Sequence, residues 1–162
     1  MTPAVQRVVD AARALGLDID VREFPEGTRT AEDAARAVGC DVAQIVKSLV
    51  FMADGEPVLA YVSGRHRLDT TKLARAAAAR DVRRATPDEA RQATGYAIGG
   101  TPPFGHAGDL RTFLDRTLLG YSEVWCAAGT PTAVFPVDPN ALLKAVVPTV
   151  EDLHQEEEQA GR

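Results

Sequence analysis

The chain has 162 residues, 45% hydrophobic and 25% charged, with a net charge of −5, a profile that fits one globular domain able to bury its own core. Its apolar runs IVKSLVFMA and PVLAYVSG are too short to span a bilayer and no apolar signal core opens the chain, so the cytoplasm and no membrane partner are expected. Cys40 and Cys126 stand far apart without a CxxC spacing, which predicts two buried thiols and neither a redox pair nor a metal site.

In chain order, TPAVQRVVDAARALGL carries apolar residues at helical spacing and stops at Gly16, predicting a first helix. DIDVREF alternates loosely enough for a short strand. TRTAEDAARAVG predicts a helix with Thr30 as N-cap and Gly39 just past its end. AQIVKSLVFMADGEPVLAYVSG is the clearest hairpin, two β-rich runs joined through Asp54-Gly55. LDTTKLARAAAA predicts a helix capped by Asp69 or Thr70, DVRRA a short edge strand. TPDEARQATG is a capped helix, with Thr86 as N-cap, Pro87 at its first position, Glu89 closing the capping box and Gly95 ending it. LRTFLDRTLLGY mixes a strand with a helical turn. SEVWCAAGTPTAVFPV predicts a second hairpin turning near Gly129-Thr130-Pro131, and DPNALLKAV a last helix that starts on Asp138 and Pro139. Helices interleaved with hairpins predict an α/β domain, a mixed, largely antiparallel central sheet flanked by helices. Residues 1–150 form that single domain, and 151–162 are expected to be a flexible acidic tail, carrying five acids and one Arg.

The tail alone holds most of the negative charge, and the rest of the chain is nearly neutral. Within it, Arg65, Arg67, Lys72, Arg75, Arg80, Arg83 and Arg84 outnumber Asp69 and Asp81 by five charges, enough for a phosphate-facing patch if the side chains share a face.

The signatures of serine hydrolases, zincins, P-loops and dinucleotide folds are all missing from the sequence. His66, His106 and His154 are scattered, which argues against a metal cluster, and no carboxylate pair stands out. Two features remain. Lys47 is a lone charge in the apolar strand QIVKSLVF, on the face shared by Ile45, Leu49 and Phe51 and opposite Val46, Ser48 and Val50. A lysine buried there must pair or look into a pocket, whereas an edge strand would let it reach solvent. The second feature is TGYAIGGTPPFGH, Thr94 to His106, with four glycines and two adjacent prolines in thirteen residues. Gly99-Gly100 lets a ligand approach main-chain N–H groups, Pro102-Pro103 stiffens the loop, and Gly105 allows a tight turn. These are the ingredients of a carbonyl-recognition ledge, or of a tight structural connection.

QIVKSLVF, VSGRHRLDTTKLA, TGYAIGGTPPFGH, LDRTLL and AAGTPTAVFPVDPNALL, in this order and spacing, resemble the YbaK family of aminoacyl-tRNA editing domains, related to the editing insertion of bacterial prolyl-tRNA synthetases. The resemblance covers roughly residues 3 to 147. It implies a freestanding deacylase that cleaves the ester of a mischarged tRNA, proline tRNA carrying Ala, Cys or Ser, without metal or other cofactor. Lys47, Gly99 and Gly100 match the family's catalytic positions. Phe24, Ser48, Thr101, Pro102, Pro103, Phe104, His106 and Asp115 are the implied substrate-binding positions, while Arg65, Arg67, Lys72 and Arg75 would meet the tRNA. The partners implied are the acceptor end of an aminoacyl-tRNA and, transiently, prolyl-tRNA synthetase. An aminoacyl ester is already activated, so a positioned water and a stabilised oxyanion suffice, and the family's use of the substrate's own ribose hydroxyl would explain why no catalytic His or Cys is visible.

The sequence also departs from the family. Phe24 stands where cysteine-removing members tend to have Tyr, no Asp occurs between Ala127 and Val137, and Ser48 replaces the Asn of an alanine-removing subgroup. The amino acid removed is left open, and a non-catalytic module binding tRNA ends or an aminoacyl-adenylate is the alternative.

Overall fold

A computed structural model describes residues 1–28 and 30–156. Its elements run α1 (Pro3–Ala14), β1 (Arg22–Glu23), α2 (Ala31–Val38), β2 (Val46–Ala53), β3 (Glu56–Ser63), α3 (Thr70–Ala77), β4 (Val82–Arg84), α4 (Pro87–Thr94), β5 (Arg111–Asp115), β6 (Val124–Ala127), β7 (Ala133–Val137), α5 (Pro139–Val146) and β8 (Thr149–Glu151), with 3-10 turns at Val42–Gln44 and Arg116–Gly120. None of the described helices is long and apolar enough to cross a membrane.

The strands form two sheets, ordered β4-β2-β3-β5-β8 and β1-β7-β6. Every pairing is antiparallel except β3 with β5 and β5 with β8, which is the mixed, mostly antiparallel α/β architecture the helix and hairpin pattern predicts. A bridge between Ile45 and Trp125 links the sheets where β2 begins. The local chemistry explains the boundaries. Thr30, Asp69 and Thr86 accept hydrogen bonds from the first-turn amides of α2, α3 and α4, and Glu89 completes the capping box of α4, each cap stabilising its helix by about 1 kcal/mol. Asp54 and Gly55 both take positive φ at the β2–β3 turn, the backbone that a two-residue hairpin requires. DIDVREF, by contrast, contributes only the two-residue β1.

The larger sheet is covered on both faces. One face packs Val46, Val50, Leu59, Tyr61 and Leu114 against Val5, Val8 and Phe135. On the other face, Phe51, Val58, Ala60, Val62 and Phe113 lie under Leu73 and Ala77 of α3. Leu49 and Phe51 therefore share one face and Val46 and Val50 the other, as strand alternation demands.

The expected tail is not all tail. Residues 149–151 form β8, parallel to β5, Leu153 is fully buried, and Lys72 Nζ reaches Asp152 at 2.9 Å and Glu156 at 3.0 Å. Charge density hides a short strand followed by one buried leucine, whose burial is worth about 2 kcal/mol. Residues 157–162, the remainder of the expected tail, lie outside the described residues.

Candidate functional site

The first half of β2 has an incomplete neighbourhood. β4 pairs only with Phe51, Met52 and Ala53, while Val46 to Val50 pair in a ladder with β3 alone. Val50 O accepts from Ala85 N at the point where β4 ends, so by alternation the main chain of Ser48 turns toward the same open edge. A cavity of about 300 Å³ occupies this gap. Its floor is Ile45 and the β2 residues Val46 to Val50, and its other walls come from α2, β4, α4, β6, β7, and Ile98, Gly99 and Thr101 of the glycine-rich loop. Lys47 and Ser48 project to opposite faces of β2, yet both line the cavity because it wraps the strand's free edge.

Lys47 is half-buried and its Nζ donates to the carbonyl of His66. Burial lowers the pKa of the ammonium, Arg84 and Arg67 push the same way, and Glu32 opposes them. Ser48 Oγ is buried without a hydrogen-bond partner, a state that costs about 1–3 kcal/mol unless something supplies the missing bond. A cavity-lining hydroxyl in that state is poised for a polar ligand.

The glycine-rich loop is held by its carbonyls. Adjacent prolines have no N–H to offer, and three aromatic side chains supply the donors: Tyr61 to Pro103 O, Tyr96 to Gly105 O and His106 Nε2 to Pro102 O. Burial keeps the His106 imidazole below its ordinary pKa, consistent with a neutral ring whose Nε2–H donates. Gly99 takes φ +88° and has open space on its Cβ side out to Pro131. Gly100 has another job. Its N–H closes a turn on Ala97 O and its carbonyl accepts from Gly129 N, and a Cβ there would fall 2.8 Å from Thr130 Cα.

The structure thus divides the residues singled out from sequence. Lys47, Ser48, Gly99 and Thr101 meet at the cavity. Gly100 abuts Thr130, and its amide is already used, so it offers the cavity no bare N–H. Pro102, Pro103 and Phe104 are buried behind the loop, with the Phe104 ring tilted against Phe135, and His106 buttresses them. Phe24 lines a separate surface groove with Glu26 and Asp33, because its main chain follows Thr132 beside β7. Asp115 is fully buried and away from the cavity lining, accepting from Thr117 Oγ1, Leu153 N and His154 Nδ1. Burial works to raise its pKa, but those hydrogen bonds outweigh burial and hold the carboxyl below its ordinary value.

Of the four expected tRNA contacts, Arg65, Arg67 and Arg75 are exposed, with Arg65 near Asp41 at 3.5 Å. Lys72 is not available: Asp152, Glu156 and His154 O take up its ammonium. Nor are the histidines all scattered, since His66 and His154 stack at 4.2 Å. Asp115, Asp152 and His154 place ligand atoms within 4.8 Å of one another, and the Lys72 ammonium already pairs with one carboxylate of this group, Asp152, at 2.9 Å.

Sequence reasoning missed the apolar walls and one charge. Trp125, the single tryptophan of the chain, Cys126 and Val134 line the cavity, as does Arg84. Arg84 belongs to the basic run, and only its place beside the β2 edge separates it from its neighbours.

The aminoacyl-tRNA editing domain matches residues 25–145. A crystal structure described as a candidate trans-editing enzyme for prolyl-tRNA synthetase superposes with a TM-score of 0.91 at 46% identity, covering 96% of this chain and 99% of that one. An Enterococcus faecalis protein described as a candidate Cys-tRNA(Pro)/Cys-tRNA(Cys) deacylase is 30% identical over 121 residues, 74% of each chain. The proline–tRNA ligase of Nitratidesulfovibrio vulgaris is 37% identical over 94 residues, which are 58% of this chain and 16% of the ligase. The matched stretch contains the whole cavity lining, and the chain belongs to the aminoacyl-tRNA editing domain family.

Proposed function

We propose that this protein is a trans-editing deacylase that hydrolyses the ester of a mischarged proline tRNA carrying Ala, Cys or Ser. Water adds to the ester carbonyl, the bond to the terminal ribose oxygen breaks, and the proton returns to that oxygen with help from the neighbouring ribose hydroxyl. The chain's part is to position and to stabilise charge. Support comes above all from the cavity at the open edge of β2, where Lys47, an unpartnered Ser48 Oγ and Gly99 face one space. Ser48 Oγ and the Gly99 main chain are the donors offered to the carbonyl oxygen as it becomes an oxyanion. Lys47 contributes a point charge toward the oxyanion or the phosphate of the terminal nucleotide.

The apolar walls, Ala31, Ala34, Trp125 and Val134, suit a small side chain and separate one from another only by about 10- to 200-fold per methylene. Exposed Arg65, Arg67 and Arg75 would contact the acceptor-stem backbone, and a transient complex with prolyl-tRNA synthetase would supply tRNA selection. The test uses wild type and Lys47→Ala with proline tRNA charged with Ala, Cys, Ser or Pro, with EDTA present. Release of one wrong amino acid by wild type alone supports the reading. Binding of tRNA without release of any of the four refutes it and leaves a holding module.

A further inference from the structure

Lys47 Nζ rests on the carbonyl of His66, so whatever fixes His66 fixes the cavity's ammonium. Residues 65–69 lie between β3 and α3 outside any ladder strand, and an irregular connection alone is a soft support. Two sets of bonds stiffen it. From the sheet side, His66 N donates to Ser63 O at 2.9 Å. From the other side comes the segment after β8. Asp69 N donates to Leu153 O at 2.7 Å and Gln155 N to Arg67 O at 2.8 Å, flanking a bridge between Leu68 and His154. Gln155 Nε2 adds a bond to Leu68 O at 3.2 Å. The His154 ring stacks on the His66 ring, and its Nδ1 lies 3.1 Å from Asp115 Oδ1 and 3.2 Å from Asp152 Oδ1. Asp115 also holds Leu153 N at 2.7 Å, so one buried carboxylate anchors two successive residues. The 152–155 side of these contacts lies beyond residue 145, where the editing-domain match ends, and their partners lie within it.

We propose that residues 152–155 are a strap that positions Lys47 in the cavity, with His154 as the positioning residue acting through His66 and Asp115 as its anchor. The proposal rests on the deacylase reading for its catalytic consequence, though not for its geometry. Asp115, matched to the family's substrate-binding set, gains a role without touching the cavity: it holds the strap that holds the turn that holds the lysine. A misplacement on the order of 1 Å at the end of such a chain lowers turnover by up to about 100-fold while leaving binding largely intact.

The experiment compares wild type, His154→Ala and His154→Phe, each full-length and checked by thermal melting. Two quantities are read: kcat and KM on mischarged proline tRNA, and labelling of Lys47 by an amine-selective reagent, quantified by peptide mass spectrometry against exposed Lys144. His154→Ala is expected to lower kcat by about tenfold with KM little changed and to raise Lys47 labelling several-fold. His154→Phe, which keeps a ring on His66 but loses Asp115, should fall between the two, and it carries the test if His154→Ala does not fold. Unchanged Lys47 labelling in the folded variants overturns the strap, and raised labelling with kcat intact overturns its catalytic role. A wild type that deacylates nothing sinks the function instead, and labelling still decides the strap.

Discussion

Two lysines of this protein make the same bond in opposite surroundings. Lys47 Nζ donates to the carbonyl of His66, Lys72 Nζ to the carbonyl of His154 at 2.8 Å, and those two histidines stack on one another. Around Lys72 stand the carboxylates of Asp152 and Glu156, whose hydrogen bonds raise its pKa. Around Lys47 the dominant influence is burial, which lowers it, opposed by the field of Glu32 without a direct bond and reinforced by Arg84 and Arg67. An ammonium that has collected carboxylates is spent on structure. One left with a single carbonyl beside a cavity still has N–H donors to offer a ligand, and the fold tolerates the burial cost.

The largest expected effect tests the Lys47 side. Lys47→Ala should lower kcat/KM on a mischarged tRNA by at least about 100-fold, the scale of losing an electrostatic group that acts on the transition state. Its melting temperature should hold or rise, because the variant no longer buries an ammonium. A large loss of stability would show that Lys47 is structural, and the contrast with Lys72 would collapse.

Next comes the loop opposite Lys47. Gly100→Ala places a Cβ 2.8 Å from Thr130 Cα and 2.9 Å from Thr130 C, both main-chain atoms that cannot turn aside. The loop must lift from Gly129 and Thr130, taking Gly99 out of the cavity. The expected result is a stability loss of about 1–3 kcal/mol by overpacking and a further loss of turnover. Gly99 lacks such a neighbour, so Gly99→Ala should act through its positive φ at a cost of about 1 kcal/mol. Chemical denaturation of the two variants orders them, and a milder Gly100→Ala would contradict the packing.

Lys72→Met tests the other side. Stability should drop, and the deacylation rate should fall less than in Lys47→Ala. The pH dependence has a definite sign. Hydrogen bonding to Lys72 holds Asp152 below its ordinary 3.8, so the pair's contribution is present above that value and is lost as pH falls through the depressed one. Lys72 is raised above its ordinary 10.5, so the contribution persists below that value and is lost as pH climbs through the raised one. The melting difference between wild type and Lys72→Met should be widest between those limits and shrink in strong acid to what the His154 carbonyl bond contributes, and a difference that keeps its full size there would refute the pair.

The sequence makes much of this frame legible because the relevant signals are local. Thr30, Asp69 and Thr86 cap helices that their own next three residues define, and Asp54-Gly55 closes a hairpin between its immediate neighbours. Lys47 is conspicuous for the same reason, a charge flanked by apolar residues in its own strand. The strap is invisible at that range. His154 meets His66 and Asp115 across 88 and 39 positions, and in the sequence it is one histidine in an acidic run. The cavity walls fail differently: Trp125, Cys126 and Val134 are ordinary strand residues, and only the Ile45–Trp125 bridge turns them toward β2. Gly100 stands out in the sequence as a bare amide, whereas in the structure it abuts Thr130 and its amide is used, a distinction that composition cannot carry.

The smallest effects repeat the comparison between neighbours on one strand. Arg83 forms a pair with Glu89 through two bonds of 2.8 Å, while Arg84 lies 5.6 Å over the Phe51 ring and lines the cavity. By the logic of the two lysines, Arg83 is committed and Arg84 is available. Arg84→Gln should weaken tRNA binding and reduce the slope of log affinity against log salt by about one phosphate contact, roughly 0.7 to 0.9. Arg83→Gln should leave that slope unchanged and lower the melting temperature slightly at neutral pH. The Arg83 side chain and the Thr86 amide hold Glu89 at about 2, below its ordinary 4.5, so the pair's small contribution is complete above 4.5 and vanishes as pH falls toward 2. Binding titrations across a salt series read the first difference and melts across pH the second. If Arg83→Gln flattened the salt slope as much as Arg84→Gln, pairing with a carboxylate would not mark which cations are spent, and the assignment of Lys47 over Lys72 would lose its physical basis.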